Sequence, residues 1–333
     1  MNKSFLPQSV GWVSQPGPQA KVVQSGQPVV VPATKIRMSL SQLTTLRWSL
    51  REEVLQLKSS NYDGIGLWRP KIGEIGEDLS ADLIRDAGLG VSSLSFAGGF
   101  TGANGMSHED ALADARDAIL DAEVVGAENL IFVSGARNGH TVNHARRLLV
   151  DALCELTDFA EPRGVRLCVL PMHAFFAKSW TYLNSLDETL EVLGRINHPG
   201  AGLAFDTYQL WQEPGLVDRI PELAAVTGVV QISDARRPPQ SCAERCVPGD
   251  GIIPLAEIVR AFQQAGFDGY YDVQVWSSSG WTEDYPITAS QCRDAVLRLA
   301  KQPVNCTPTS PKSGSVDDSV HANSPISAKS VYS

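Results

Sequence analysis

The sequence predicts an α/β fold, a (β/α)₈ TIM barrel in which eight parallel strands alternate with helices. Short β-rich apolar segments alternate with longer amphipathic segments through the middle of the chain. The β-rich segments follow one another at intervals of roughly 20 to 40 residues, as repeated strand and helix units require. A doubly wound open sheet is the alternative, but the glycines of residues 97–102 have the wrong spacing for its Gly-x-Gly-x-x-Gly turn.

Seven segments are apolar enough to be strands that are buried on both faces. An eighth strand is expected at residues 42–46, where β-branched and apolar residues precede the first amphipathic segment. The seven clear segments are residues 64–67, 91–94, 129–133, 165–170, 202–205, 228–232 and 270–275.

The segments between these strands have the period of amphipathic helices. In residues 145–156, for example, apolar residues recur at spacings of three and four. Ser107 and Ser185 are predicted N-caps, and Gly164 and Gly266 stand where helices should end before the next strand. These helices are expected to cover the outside of the barrel.

The two ends of the chain differ from this pattern. Residues 1–36 are rich in Gln, Val, Pro, Ser and Gly, and residues 302–333 are dominated by Ser, Pro, Asn and Thr, without a helical or alternating period in either. Such composition predicts disordered N- and C-terminal tails. The barrel domain is therefore expected to span residues 37–301.

Composition narrows the class of partner. The chain is 43% apolar and 20% charged, and its net charge is −9 with no run of Lys or Arg longer than a pair, which argues against nucleic acid and anionic membranes. No stretch approaches the roughly 18 apolar residues of a membrane span, and the first residues lack the apolar block of a secretory signal. We expect a cytoplasmic protein with a small-molecule ligand; a homo-oligomer stays open.

Six cysteines in a chain of this length do not indicate a disulfide scaffold. Cys154 and Cys168 lie within apolar patterns, so they are predicted to be core residues.

The chemistry of such a barrel belongs at the C-terminal ends of its strands. Four of these ends carry polar motifs in this sequence: Leu170-Pro171-Met172-His173 after the fifth strand, Asp206-Thr207-Tyr208-Gln209 after the sixth, Gln231-Ile232-Ser233-Asp234 in the seventh, and Asp272-Val273-Gln274 in the eighth.

These linked motifs resemble those of the xylose-isomerase-like barrel superfamily, in its sugar phosphate isomerase/epimerase branch, over about residues 38–300. In that branch the fifth strand ends Glu-Pro-Met-His or Glu-Pro-Leu-His, the sixth ends Asp-Thr-Tyr-His, and the eighth ends in a pattern such as Asp-Val-Glu. The resemblance implies a barrel enzyme that acts on carbohydrates.

The resemblance also implies a divalent metal, Mn²⁺, Zn²⁺ or Mg²⁺, held by two glutamates, an Asp, and a Gln or His. Here Leu170 and Gln274 stand at the positions of the glutamates, and only Asp206 and Gln231 match as metal ligands. One formal negative charge therefore remains where the family has three. We expect a weak or vestigial metal site and no tightly bound cofactor.

The resemblance also implies that the two glutamates act as an acid/base pair, which moves a proton between neighbouring carbons of the substrate. Leu170 and Gln274 cannot do this, and Gln209 replaces a further ionisable residue, the strand-six His. Whether the chain is an enzyme is left open. It is expected either to bind a carbohydrate-like ligand with reduced or altered activity, or to be a non-catalytic binding or regulatory protein.

Among the remaining polar residues, His173 is the candidate catalytic acid/base, with a histidine tied down by a neighbouring carbonyl as the alternative. Asp206 is costly to bury unpaired, so a ligand, a weakly bound metal or a basic side chain is expected beside it. Arg245 resembles an arginine that lines the substrate mouth in the family and is the candidate basic partner, with a solvated loop arginine as the alternative. Gln209, Gln274 and His140 are further candidate substrate-binding residues, and His140 lies four residues before His144 at a helix start.

Aromatic side chains on the same face suit stacking against sugar C–H surfaces. Trp68 is the candidate substrate-binding residue of this group, which also contains Phe96, Trp180, Trp211 and Trp276. Residues 249–251 are expected to form a turn before the seventh helix, and the alternative is that their backbone N–H groups hold a substrate phosphate.

Overall fold

The computed structural model describes residues 36–278 and 284–301. The predictions for the two tails concern residues outside these ranges. Within them, eight strands close into a barrel in the order β1-β10-β7-β6-β5-β4-β3-β2, and every pair of neighbouring strands is parallel. The predicted (β/α)₈ barrel is therefore confirmed.

A short antiparallel ribbon of two strands, β8 and β9, follows β7 and stands outside the barrel. The strands are β1 (Arg37–Ser41), β2 (Gly64–Trp68), β3 (Gly90–Gly98), β4 (Asn129–Val133), β5 (Arg166–Val169), β6 (Ala201–Asp206), β7 (Thr227–Ile232), β8 (Asp234–Ala235), β9 (Arg245–Cys246) and β10 (Tyr270–Val273).

The helices that surround the barrel pack an apolar stripe against the strands, as their period predicts. None of the helices among the described residues is both long and apolar enough to cross a membrane. They are α1 (Leu50–Ser59), α2 (Arg69–Ile72), α3 (Glu77–Asp86), α4 (His108–Val125), α5 (Val142–Ala160), α6 (Leu186–Ile196), α7 (Thr207–Leu210), α8 (Leu216–Ala224), α9 (Leu255–Gln264) and α10 (Tyr285–Lys301).

The predicted helix boundaries are confirmed. The Ser107 side chain accepts a hydrogen bond from the Asp110 backbone at the start of α4, and Ser185 caps α6 by accepting one from the backbone of Glu188. Gly164 adopts a left-handed φ of 68° where the chain leaves α5 and its short 3₁₀ extension for β5.

The first strand lies earlier than predicted. Residues 42–46 form the turn after β1, in which the Thr44 and Thr45 amides donate to the carbonyls of Ser41 and Gln42. The prediction was wrong because the side chains of this turn are buried against α1 and α2 and therefore have the composition of a strand.

The cysteine prediction is half right. Cys168 is fully buried in β5, but Cys154 is exposed. Helix α5 turns Leu149, Leu153 and Leu156 toward the barrel, and Cys154 follows Leu153 by one residue, about 100° further around the helix. Cys154 thus lies among apolar residues in the sequence but outside the buried stripe of the helix.

Candidate functional site

The strand ends that carry the polar motifs meet at one end of the barrel, because all eight barrel strands are parallel. Asp206 is the last residue of β6, and its register partner in β7 is Gln231. Leu170 and Gln274 directly follow β5 and β10, and their amides extend the ladders to Phe132 and Ile232. We call this end of the barrel the mouth.

The cavity at the mouth has a volume of only about 10 Å³, which is close to the space of one water molecule. Side chains from several strand ends and loops therefore nearly fill it. The lining residues are Phe96, Val133, Leu170, Met172, Trp180, Asp206, Cys242, Arg245, Gln274 and Trp276.

Larger clefts lie away from the mouth. One of about 500 Å³ is at the opposite end of the barrel, beside the start of β1, and another of about 550 Å³ runs along the outside of α5. Neither cleft is lined by residues of the strand-end motifs.

Asp206 and Arg245 form a buried ion pair at the mouth. The Arg245 guanidinium donates from Nη1 to Oδ1 at 2.9 Å and from Nη2 to Oδ2 at 2.7 Å, and both side chains are at most 4% exposed. Burial disfavours the charged guanidinium, but the Asp206 charge outweighs it and raises the pKa of Arg245. The predicted pairing is therefore present.

Further contacts hold both partners. Asp206 Oδ1 also accepts from the Tyr208 amide at 2.9 Å. Arg245 Nη1 donates to Ser233 Oγ at 3.1 Å, and the guanidinium carbon lies 4.6 Å from the centre of the Tyr208 ring. The pair is thus fixed by neighbours from the ends of β6 and β7.

The family's metal site does not fit these residues. Leu170 offers no lone pair, and both Asp206 oxygens accept hydrogen bonds from Arg245. No group of three or more His, Cys, Asp or Glu side chains that could hold a metal ion comes together in residues 36–278 or 284–301. A hard divalent cation prefers several oxygen ligands, among them carboxylates.

Three amide atoms at the mouth are buried without a hydrogen-bond partner in the part of the chain that the structure describes. They are Oε1 of Gln231, Oε1 of Gln274 and Nε2 of Gln209. Buried polar atoms are normally satisfied by protein, water or ligand. Gln274 lines the mouth cavity, so its Oε1 is an acceptor for a molecule bound there, whereas Gln231 and Gln209 are not among the lining residues.

His173 follows β5 at the rim of the mouth and is partly exposed. Its amide donates to Gln209 Oε1 at 3.0 Å, and its Nδ1 accepts from the Phe175 amide at 3.2 Å. Partial burial lowers the pKa of His173, which favours the neutral imidazole. The ring is therefore held by its own loop through Nδ1.

His140 lies in the loop after β4, outside the residues that line the mouth cavity. Its Nε2 is 3.2 Å from the Thr101 carbonyl oxygen, and its ring centre is 4.8 Å from that of His144. His144 belongs to the first turn of α5, where its Nδ1 lies 3.0 Å from Arg147. The structure thus brings the two histidines together but leaves them apart from the mouth cavity.

The aromatic residues divide into two groups. Phe96, Trp180 and Trp276 line the cavity, and the rings of Phe96 and Trp180 meet edge to face at 6.1 Å. Trp68 ends β2, where its amide donates to Gln42 Oε1, and neither it nor Trp211 is among the lining residues.

Three residues of this region were not predicted. Cys242 lines the cavity, and burial raises the pKa of its thiol to about 12. Asp272 lies inside the barrel, where burial raises the pKa of its carboxyl to about 7 although Ser39 donates to it at 2.6 Å. Its polar side chain within an apolar strand was a signal that the sequence did contain.

Asp234, the third, anchors the loop after the ribbon. Its carboxylate accepts from the amides of Ala235, Gly249, Gly251 and Ile253 at 2.8 to 3.0 Å. The turn amides at residues 249 and 251 therefore already have an acceptor, and a substrate phosphate would have to compete with Asp234 for them.

Residues 54–295 match the model of the xylose isomerase-like TIM barrel family. This match covers most of the chain, and the protein belongs to that family. A curated relative, inosose isomerase of Bacillus subtilis (strain 168), is 22% identical over 211 residues, which are 61% of this chain and 71% of that protein.

Solved structures share the fold. A protein from Sinorhizobium meliloti 1021 is 26% identical with a TM-score of 0.74, and the match covers 80% of this chain and 99% of that one. The IolI protein, solved with a zinc atom, is 16% identical with a TM-score of 0.70, and the match covers 79% of this chain and 98% of that one. D-allulose 3-epimerase from Methylomonas sp., solved with D-allulose, is 18% identical with a TM-score of 0.66, and the match covers 80% of this chain and 98% of that one. The last two likenesses show the fold alone.

Proposed function

We propose that this protein binds a carbohydrate-like small molecule at the mouth of its barrel, with the metal and acid/base centre of its family degraded and its isomerase or epimerase activity reduced or altered. The observation that carries the proposal is that Leu170 and Gln274 stand at the strand ends where the family resemblance implies glutamates, while Asp206 and Gln231 match its other two ligands. The inosose isomerase and epimerase relatives support carbohydrate chemistry as the starting point.

The chemistry lost is proton transfer between neighbouring carbons. A two-base isomerisation needs one group to take a proton and another to return it near neutral pH. Leucine carries no ionisable group, and the amide of Gln274 does not titrate in this range. A metal would supply Lewis acidity for the substrate oxygens, but the donors around Asp206 and Gln231 suit at most a weakly bound Mn²⁺, Zn²⁺ or Mg²⁺.

His173 is the acid/base residue that we propose for any remaining turnover. It is partly exposed at the rim, and its lowered pKa favours the neutral imidazole. Because Nδ1 accepts from the Phe175 amide, Nε2 carries the ring hydrogen, so His173 donates this hydrogen as it stands and accepts a proton only once the Phe175 contact at Nδ1 breaks.

The amide groups of the mouth suit a ligand with hydroxyl groups. Gln274 offers an acceptor in the lining, and Phe96, Trp180 and Trp276 offer apolar surface for C–H groups. Once the cavity widens, Gln231 offers a second acceptor and Gln209 a donor. Arg245 is the proposed charged contact, and Trp68 and His140 are proposed outer contacts that need the loops to move inward. A ligand of sugar size requires the cavity to widen beyond about 10 Å³.

Calorimetric titration with a panel of ketoses and cyclic polyols tests the proposal. We expect one or more of these compounds to bind, and Gln274→Ala to weaken that binding at least tenfold. Ser241→Ala outside the mouth lining is the matched control and should bind normally. Proton exchange at the carbon beside the carbonyl, followed by NMR in D₂O, should be slow or absent. Rapid exchange supported by stoichiometric metal would contradict the proposal.

The small volume of the mouth cavity favours a second candidate, a non-catalytic binding or regulatory protein. In that case a partner recognises an outer surface or the tails, and no ketose binds. Deleting residues 1–36 and 302–333 should then abolish partner binding, and retention of every interaction after the deletion would argue against this candidate. The cytoplasmic location and a homo-oligomer stay predictions from the sequence.

A further inference from the structure

We propose that the guanidinium of Arg245 takes the place of the divalent cation in this barrel, as the resident positive charge of Asp206. This goes beyond the proposed function, because it concerns which cation the site holds, whatever ligand binds there. The starting point is the disagreement between the family's metal set and the residues at the mouth.

Both carboxylate oxygens of Asp206 already accept hydrogen bonds from the protein. Oδ1 of Asp206 accepts from Arg245 Nη1 and from the Tyr208 amide, and Oδ2 accepts from Arg245 Nη2. The planar, two-pronged geometry of the guanidinium matches a carboxylate and satisfies both oxygens at once. Little lone-pair capacity is left for a metal ion at Asp206.

The positive charge of Arg245 also opposes a metal ion at Asp206. A metal ion at Asp206 would have to displace the guanidinium, which is buried and would lose its counter-charge. A buried unpaired charge is costly, so the displaced arginine would have to leave the mouth altogether. With Leu170 and Gln274 in place of two carboxylates, the metal would gain too little from this site to drive that movement.

Backbone hydrogen bonds hold Arg245 in this position. Arg245 lies in β9, where it pairs with Ala235 of β8, and its own amide donates to the Trp276 carbonyl at 3.1 Å. The neighbouring carboxylate of Asp234 holds the loop beyond this ribbon through four amides. The backbone of Arg245 is therefore held in place by hydrogen bonds, and its side chain is held by Asp206.

The exchange has a chemical consequence at the mouth. A metal ion has coordination positions that a substrate oxygen can enter, whereas a guanidinium only donates hydrogen bonds. Nε of Arg245 is buried and has no partner among the residues that the structure describes. Arg245 is therefore a positioning residue that offers one N–H to a ligand oxygen in place of a Lewis acid.

Metal titration and chemical rescue test this assignment. Full-length protein dialysed against EDTA is titrated with Mn²⁺ and with Zn²⁺, and we expect neither ion to bind at the mouth or to raise the melting temperature. Arg245→Ala should lower the melting temperature by about 10 °C, because it leaves Asp206 buried without its cation. Methylguanidinium at about 10 mM should reverse most of this loss by refilling the site, and methylammonium should reverse less.

Arg237→Ala is the matched control, because Arg237 lies in the loop between β8 and β9 and its ion pair with Glu244 is far less buried, with side chains 59% and 27% exposed. It should change the melting temperature by about 1 °C or less and show no rescue. Should Arg245→Ala fail to fold, the double variant Asp206→Asn with Arg245→Met is expected to fold, since no unpaired charge remains, and to gain no stability from methylguanidinium.

Three results would overturn the inference: one Mn²⁺ or Zn²⁺ per chain bound with micromolar affinity to the unaltered protein, Arg245→Ala with normal stability, or no rescue by methylguanidinium. The last two leave the proposed function intact. Conversely, a panel in which no ketose or polyol binds, together with normal rescue, overturns the proposed function and leaves the cation assignment in place.

Discussion

The carboxylate of Asp206 and the guanidinium of Arg245 meet in a contact of two hydrogen bonds between β6 and β9, with both charges almost completely removed from water. The contact joins the barrel to the ribbon beyond β7. It therefore couples the stability of the barrel end to the position of that ribbon.

A double-mutant cycle on this pair should show strong coupling. Asp206→Asn and Arg245→Met are each expected to lower the free energy of unfolding by about 3–5 kcal/mol, because each leaves one buried charge unpaired. The double variant should lose less than the sum of the two losses, by at least about 2 kcal/mol. Urea unfolding at pH 7 measures all three.

The pair of Arg237 and Glu244, whose side chains are 59% and 27% exposed, supplies the control cycle. Its coupling should be below about 1 kcal/mol, as for other ion pairs at the protein surface. Equal coupling in the two cycles, or additive losses at Asp206 and Arg245, would contradict the prediction.

Much of this arrangement could be read from the sequence, for physical reasons. The apolar strands and amphipathic helices define a barrel by their period, and a barrel places strand ends on one face. A carboxylate at such an end needs a partner, and the resemblance of Arg245 to an arginine at the family's substrate mouth made it the candidate for Asp206. The barrel and the need for a partner follow from short-range pattern and from the cost of burying charge, whereas the choice of Arg245 follows from the family resemblance.

Other features depend on tertiary contacts that a sequence does not display. The turn after β1 resembles a strand because it is buried beneath α1 and α2. The anchoring of residues 249–253 by Asp234 depends on a loop with no period. The near-closure of the mouth results from Trp180, Trp276 and Cys242 arriving from three separate loops. Pattern analysis names such residues as aromatic or polar but cannot tell which of them meet.

The Asp234 anchor should be sensitive to substitution. Asp234→Ala removes the acceptor of four backbone amides, so we expect a loss of about 2–4 kcal/mol in the free energy of unfolding. Amide hydrogen exchange should accelerate at Gly249, Gly251 and Ile253 before it does in the barrel strands. Asp250→Ala, an exposed position in the same turn, should leave these exchange rates unchanged. Unaltered protection in Asp234→Ala would refute the anchoring role.

A second buried ion pair predicts a pH-dependent defect. Lys71 Nζ lies 2.5 Å from Glu53 Oε1, and Thr45 and Gln42 also donate to this carboxylate. Burial raises the pKa of Glu53 despite Lys71. In Lys71→Met the carboxyl loses its cation, so its pKa should rise further.

The sign of the effect follows from proton binding. When the pKa of a carboxyl is higher in the folded state than in the unfolded chain, the folded state binds the proton more tightly. The carboxyl then contributes stability at low pH, and this contribution is lost as pH rises through the folded-state pKa. Lys71→Met should therefore cost about 3–5 kcal/mol at pH 8 and clearly less at pH 5. Lys58→Met, an exposed lysine in α1, is the control and should cost little at either pH. A defect of Lys71→Met that does not change with pH would count against this account.

Asp272 gives the sharpest pH prediction, because its carboxyl is enclosed by the barrel. Ser39 Oγ donates to Oδ1 at 2.6 Å and Ser92 Oγ at 3.3 Å, and a Cβ at Gly66 would lie only 2.6 Å from the same oxygen. Burial raises its pKa from the ordinary 3.8 to about 7, and the nearby Asp206 charge acts in the same direction. Between these two values the folded protein keeps a proton that the unfolded chain has released.

Stability contributed by Asp272 is therefore present below about pH 4 and declines as pH rises toward 7. Asp272→Asn keeps the shape of the side chain but cannot ionise. The free energy of unfolding of this variant minus that of the unaltered protein should increase by roughly 2–4 kcal/mol between pH 4.5 and pH 8. Urea unfolding at pH 4.5, 6 and 8 measures the difference. Asp268→Asn, an exposed position just before β10, should give a flat difference over the same range, and a flat difference for Asp272→Asn would show that its carboxyl titrates normally in the fold.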